Sequence, residues 1–266
     1  MNLREAIKAV DPCVVQVSGE SLQPVVGTGF FVHEGGYVVT ALHVIQQIAR
    51  MANEANRPVQ VNVGIAHTNS ENMRANFTVT DCEVVDADEV YDLALVRLGR
   101  NPLAGELGTG IVVGEVAIPL PAQVAAIDPD RPEDGEPIAV SGYPLSNPVL
   151  ITNAGHLASV WHSESRRDFQ PGVSPLVDWY FGDVEVNPGN SGGPVYRVET
   201  AEVIGVCRAS QPAPVRRGDN GEPARMSDVA LNYSSGITVF TPAKYIAEML
   251  ARHSLWESAD GEAQEQ

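Results

Sequence analysis

Asn187-Pro188-Gly189-Asn190-Ser191-Gly192-Gly193-Pro194 is the stretch on which the reading of this chain turns. Glycine at three of eight positions, with proline near both ends, disfavours a helix and a strand interior alike. The pattern predicts a tight loop that approaches other groups closely and holds backbone N–H groups outward. A nucleophilic serine needs such a setting: open access to its oxygen, and amides aimed at the charge that develops on an attacked carbonyl. Ser191 is the candidate nucleophile, and the amides of Gly189 and Ser191 are the candidate oxyanion hole. A glycine-rich turn with an incidental serine would look the same in isolation, so its partners must be found elsewhere in the chain.

Two other stretches offer them. Val38-Val39-Thr40-Ala41-Leu42-His43-Val44 ends an apolar run on a histidine, and Tyr91-Asp92-Leu93-Ala94-Leu95-Val96 opens another on an aspartate. Asp86, Asp88 and Glu89 lie close by, but only Asp92 abuts the apolar run Leu93–Val96, where one carboxylate can sit buried behind an imidazole. His43 is the candidate general base and Asp92 its orienting partner. Their order along the chain, His then Asp then Ser, is one of the known triad orders. His33, His67, His156, His162 and His253 have no comparable surroundings and are read as satisfied or solvated.

With these residues quoted, the chain resembles the trypsin-like serine proteases of the HtrA (Deg) type. The resemblance is carried by GTGFFV (27–32), VVTALHV (38–44), DLALVRL (92–98), NPGNSGGPV (187–195), EVIGV (202–206) and GITVFTP (236–242), in family order over roughly residues 5–250. It implies an all-β chain of two six-stranded antiparallel β-barrels with a short N-terminal and a C-terminal helix. His43 and Asp92 would lie in the first barrel and Ser191 in the second. It further implies a serine endopeptidase acting on protein or peptide substrates through an acyl-enzyme, with no metal and no organic cofactor. No cleavage site for a zymogen is seen, so activity is expected to depend on loop ordering or on an activating partner protein. The family's C-terminal peptide-binding module is not expected here.

Composition agrees and sets limits. The 266 residues suffice for one large all-β domain or two small barrels, and 44% hydrophobic content supports a sizeable core. Seventeen basic against 34 acidic residues give a net charge of −17, which argues against nucleic acid and anionic membranes as partners. Cys13, Cys82 and Cys207 have neither metal-ligand spacing nor the density of a disulfide framework. With no apolar leader in MNLREAIKAV and no membrane-length apolar run, the expectation is a cytoplasmic protein. Oligomeric state is not legible.

The expected organisation is an N-terminal barrel over 1–115, a Pro/Gly-rich connection over 116–136, a second barrel over 137–254 and an acidic tail over 255–266. Helices are expected near 2–9, 44–52 and 242–252. Strands are expected at 13–17, 25–32, 37–40, 59–65, 77–85, 110–117, 123–126, 137–142, 150–160, 195–198, 203–206 and 236–240, with 179–186 leading into the serine loop. Two polar stretches, 162–175 and 209–235, are read as loops, and an irregular stretch as long as the second is usually functional or disordered.

Specificity rests on two charges. By the resemblance, Glu185, six residues before the serine, would lie at the base of the substrate pocket and favour a basic side chain, while Arg208 would align with the pocket wall. Buried charges pair where they can, so the two are expected to contact substrate or neutralise each other. Arg208 also stands where the family commonly supports the triad aspartate with a hydroxyl. Two further readings share the same residues. One is a binding or signalling module on a protease scaffold. The other is an esterase-like hydrolase, which normally has a different chain order.

Overall fold

The computed structural model describes residues 1–20, 24–68, 74–79, 81–104, 111–113, 116–118, 122–161, 178–218, 221–227 and 229–256. Helix α1 (Leu3–Val10) opens the chain. Asn2 caps it, its side chain accepting from the Glu5 amide while the Glu5 carboxylate accepts from the Asn2 amide, which satisfies two otherwise orphaned donors. Pro12 ends it, and a short 3₁₀ turn, Asp11–Cys13, leads into the first strand.

Seven strands follow in the N-terminal half: β1 (Val14–Ser18), β2 (Gly27–His33), β3 (Tyr37–Ala41), β4 (Asn62–Thr68), β5 (Arg74–Val79), β6 (Cys82–Asp88) and β7 (Leu93–Leu98), with α2 (Leu42–Glu54) between β3 and β4. They form one antiparallel sheet in the order β5-β4-β1-β2-β3-β7-β6. The sheet differs in detail from the expected six-stranded barrel: it has seven strands, and no ladder joins β5 to β6 among the described residues. The single strand expected at 77–85 is two, β5 and β6, parted near Asp81. The stretch expected as one strand at 110–117 holds two, β8 (Ile111–Val113) and β9 (Val116–Ile118), paired antiparallel, and 123–126 is not a strand.

The C-terminal half closes. Strands β10 (Pro137–Gly142), β11 (Ile151–Trp161), β12 (Trp179–Gly182), β13 (Pro194–Arg197), β14 (Val203–Pro214) and β17 (Asn232–Pro242) form a barrel in the order β10-β11-β12-β17-β14-β13, and α3 (Lys244–Arg252) follows. Closure leaves no open edge in the barrel itself. Strands β14 and β17 continue past it as a two-stranded arm, with Pro212 opposite Ser234 and Pro214 opposite Asn232. Between them β15 (Arg225–Met226) pairs with β16 (Val229–Ala230). Most of the stretch expected as an irregular 209–235 loop is therefore ordered β structure. Its prolines disfavour a central strand, yet beyond Val206 no described strand pairs with the other edge of β14, and proline is tolerated on edges. The loop at 162–175 lies outside the described residues, as do His162 and the tail from 257 onward.

Three apolar clusters account for this arrangement. Val15, Phe31, Val38, Val96 and Ile48 fill the N-terminal sheet, and Ile138, Leu157, Val195, Ile204 and Phe240 fill the barrel. The third joins the halves, with Phe30, Val39 and Leu95 packed against Tyr143, Tyr196 and residues of α1 and α3. The site lies beside this seam.

Candidate active site

Register brings His43 and Asp92 together. In the β3–β7 ladder Ala41 pairs with Leu93 and Thr40 with Ala94, so the end of one strand meets the start of the other. The Leu42 amide donates to the Asp92 carbonyl at 3.0 Å. The imidazole Nδ1 lies 2.7 Å from Asp92 Oδ2, and the His43 backbone N–H donates to Asp92 Oδ1 at 2.9 Å. Asp92 is buried and holds φ of +57°, a left-handed conformation that aspartate tolerates better than most side chains. The carboxylate is 9% exposed and the imidazole 39%, so His43 keeps one face to solvent while Asp92 stands behind it.

Ser191 reaches the same place from the barrel, in the loop between β12 and β13. The Ser191 carbonyl accepts from the Thr28 amide at 2.8 Å, and the Thr28 hydroxyl donates to the Gly189 carbonyl at 2.6 Å. One residue of the N-terminal sheet thus clamps the serine loop at two points. That clamp was not foreseen, although Thr28 sits between two glycines in Gly27-Thr28-Gly29, a sign of close backbone approach. Gly189 has φ of +102°, and the Pro188 carbonyl accepts from the Leu145 amide at 2.6 Å. In a planar trans peptide the N–H points opposite to the C=O, so the Gly189 N–H faces away from Leu145. Neither the Gly189 nor the Ser191 amide donates to another described backbone group.

His43, Ser191, Gly189 and Arg208 line one cavity of about 360 Å³, with Val186 and Cys207 in its wall. Burial pushes the Cys207 thiol up to about 12, so it stays protonated at neutral pH and does not compete as a nucleophile. In this state the Ser191 hydroxyl donates to the Arg208 carbonyl at 3.1 Å and makes no hydrogen bond to His43.

Of the two specificity residues, Arg208 lines the cavity as expected, while the place of Glu185 and its pairing with Arg208 are corrected. Glu185 does not line the cavity; it is exposed between buried Val184 and Val186, because alternation along the chain turns it outward. Arg208 does not pair with it. Its guanidinium Nε lies 3.1 Å from Asp92 Oδ2, and the group lies 4.1 Å from the Trp179 ring centroid. Burial pushes this guanidinium below its ordinary pKa, and Asp92 opposes that shift. The β14 ladder is irregular between Cys207 and Ala209, and such a bulge re-aims the side chain it contains.

The loop leaves no room for change at Gly192. Its φ is +85°, and a Cβ there would collide with the Thr28 carbonyl and the Thr40 hydroxyl. Gly135 has a similar φ of +91° and open space around it. Gly192→Ala is therefore expected to cost about 4 kcal/mol of stability, from backbone strain plus overpacking. Gly135→Ala should cost about 1 kcal/mol, from strain alone. Urea unfolding midpoints of the two variants check this; equal losses would show that packing around Gly192 does not matter.

A family model for the trypsin-like peptidase domain matches residues 27–206. The chain belongs to the trypsin-like peptidase family. Within it, the chain is 22% identical over 213 residues to a protein named serine protease HTRA1 from Xenopus laevis, covering 77% of this chain and 37% of that one. It is 24% identical to serine protease HTRA1B of Danio rerio, over 77% of this chain and 36% of the relative. A third relative, from Marinomonas sp. (strain MWYL1), is named "Probable periplasmic serine endoprotease DegP-like"; it is 24% identical over 68% of this chain and 29% of its own length. The chain thus spans little more than a third of the HTRA1 relatives it matches. Among the described residues, no helix is long and apolar enough to cross a membrane, and no cluster of metal-ligating side chains occurs. The three cysteines are free.

Proposed function

We propose that the chain is a serine endopeptidase in which His43, Asp92 and Ser191 form the catalytic triad. The observation that carries this reading is the doubly bonded His43–Asp92 pair, at 2.7 and 2.9 Å, opening on the cavity that Ser191 also lines. The hydroxyl turns from the Arg208 carbonyl toward His43 Nε2, gives up its proton there, and Ser191 Oγ bonds to the substrate carbonyl carbon. The amides of Gly189 and Ser191 receive the oxyanion. Collapse breaks the C–N bond, and the leaving amine takes the proton from the imidazolium. Water, deprotonated by the same imidazole, then releases the acyl group and regenerates Ser191.

With Glu185 outside the cavity and Val186 and Cys207 in its wall, the side chain preceding the cleaved bond is apolar rather than basic. The hydroxyl parked on the Arg208 carbonyl supports a resting enzyme that substrate or an activating protein switches on. The free cysteines are consistent with a reducing, cytoplasmic setting, and the acidic charge with the absence of nucleic acid and membrane partners.

A fluorophosphonate probe applied to the native chain, followed by peptide mapping, tests the reading. The expected adduct is on Ser191 and does not form when the chain is unfolded before the probe is added, and a peptide with valine before the scissile bond is expected to be cleaved faster than one with arginine. Absence of label, with and without protein substrates as activators, would favour a binding module on a protease scaffold. Label elsewhere would refute the triad.

A further inference from the structure

We infer that Arg208 is a positioning residue for the imidazole: its guanidinium, seated between the Asp92 carboxylate and the Trp179 ring, pins the aspartate and sets the pH at which His43 becomes a base. The inference rests on His43 being the base of the proposed reaction, but its central measurement does not need that reaction.

The geometry gives one carboxylate three donors. Asp92 Oδ2 lies 2.7 Å from the His43 Nδ1 and 3.1 Å from Arg208 Nε, and Oδ1 accepts from the His43 backbone N–H. The carboxylate can neither rotate nor withdraw without breaking a charge-assisted bond. Arg208 is itself held. Trp179 supports it through a cation–π contact at 4.1 Å. The residue before Trp179, Asp178, is buried and bonded to the Lys244 ammonium and the Tyr245 hydroxyl. The residue just ahead of the strand that begins at Trp179 is thus tied to the start of α3, and the platform under the guanidinium is fixed.

Charge follows from the same contacts. Two nitrogens bonded to one oxygen at these distances are at most about 6 Å apart, within the range where one charge shifts another's titration by about a pH unit or more. The charged groups facing the imidazole are Asp92 and Glu89 from the turn before β7 and Arg208 from β14; α2 contributes the neutral Gln46 and Gln47. Glu89 is exposed, so solvent screens it more than the buried Asp92. The imidazolium therefore forms beside a nearly neutral Asp92–Arg208 pair instead of a bare carboxylate. Arg208 lowers the pH at which His43 gains its proton, and it extends the active range to lower pH. Removing the charge reverses the sign: His43 holds its proton to higher pH, and the acid limb of activity moves up.

The test is an NMR titration of the His43 imidazole in the full chain, assigned with His43→Ala. It compares the native protein with Arg208→Gln, which keeps a donor but no charge, and Arg208→Lys, which keeps the charge. Arg208→Ser is a second uncharged replacement should the glutamine variant not fold. The expected midpoint rises by about one pH unit in the uncharged variants and by less in Arg208→Lys. The acid limb of fluorophosphonate labelling should move with it. An unmoved midpoint in the uncharged variants overturns the inference, as does a labelling rate lowered by the same factor at every pH, which a purely structural role would give. A shifted midpoint in a chain that never labels would keep Arg208's role and sink the protease reading instead.

Discussion

A chain carrying Ser191→Ala or His43→Ala is expected to hydrolyse a peptide about a million-fold more slowly than the native protein, and a chain carrying both changes no more slowly than either. The reason is that the two side chains perform one event. A hydroxyl is a poor nucleophile until its proton leaves as the new bond forms, and an imidazole with no hydroxyl to deprotonate accelerates nothing. What survives in each variant is the contribution of substrate binding and of the Gly189 and Ser191 amides, worth a thousand-fold or more over water. The backbone that carries those amides is held from outside the triad, by Thr28 on the Ser191 and Gly189 carbonyls and by Leu145 on the Pro188 carbonyl. Neither alanine touches that clamp, and the two side chains are only partly buried, so unfolding midpoints should stay close to native. Single-turnover hydrolysis of one peptide by the four proteins measures the effect. If the double change multiplied the two single losses, the side chains would be acting independently and the shared proton transfer would be wrong.

How far such a site can be read from sequence depends on which interactions are local. His43 and Asp92 stand out because each terminates or opens an apolar run, and two apolar runs of that length in an antiparallel sheet tend to pair. The β3–β7 register then places them within hydrogen-bond reach. Ser191 stands out because its glycines have no use in a helix or strand interior. The all-β character is legible for the same reason, since alternation and turn residues repeat along the chain.

The misread positions depend on what happens across strands. Resemblance alone assigns Glu185 a pocket role, although the apolar–charged–apolar step Val184-Glu185-Val186 already turns it outward. Arg208 could not be placed this way, because its direction depends on an irregularity in pairing with a strand some thirty residues on. That the second barrel closes while no ladder among the described residues closes the first sheet is likewise a matter of which edges meet. The long β14–β17 arm was obscured by its own prolines, which argue correctly against a central strand and say nothing against an edge.

Asp92→Asn probes the site from behind and is expected to lower turnover about ten-thousand-fold with little change in fold. Asparagine tolerates the left-handed backbone that Asp92 adopts at φ +57°, so the change is electrostatic and not conformational. Three donors surround the carboxylate: the His43 imidazole, the His43 backbone N–H and the Arg208 guanidinium. An amide has one oxygen and one NH₂ in their place, so in either orientation at least one donor faces another donor. With the oxygen on the backbone N–H, the NH₂ meets the imidazole and favours the tautomer that cannot accept the serine proton. With the amide flipped, the tautomer is right, but no negative charge stabilises the imidazolium. In both cases the guanidinium is left unopposed, so the catalytic cation must form beside a bare positive charge. Removing that charge in the same chain, as Asp92→Asn with Arg208→Gln, should recover about ten-fold of the lost rate, because the two groups act on one imidazole and their effects are not additive. Steady-state hydrolysis by the single and double variants, with urea midpoints to confirm folding, decides the matter. A loss below ten-fold in Asp92→Asn would mean that the imidazole is oriented by something other than this carboxylate.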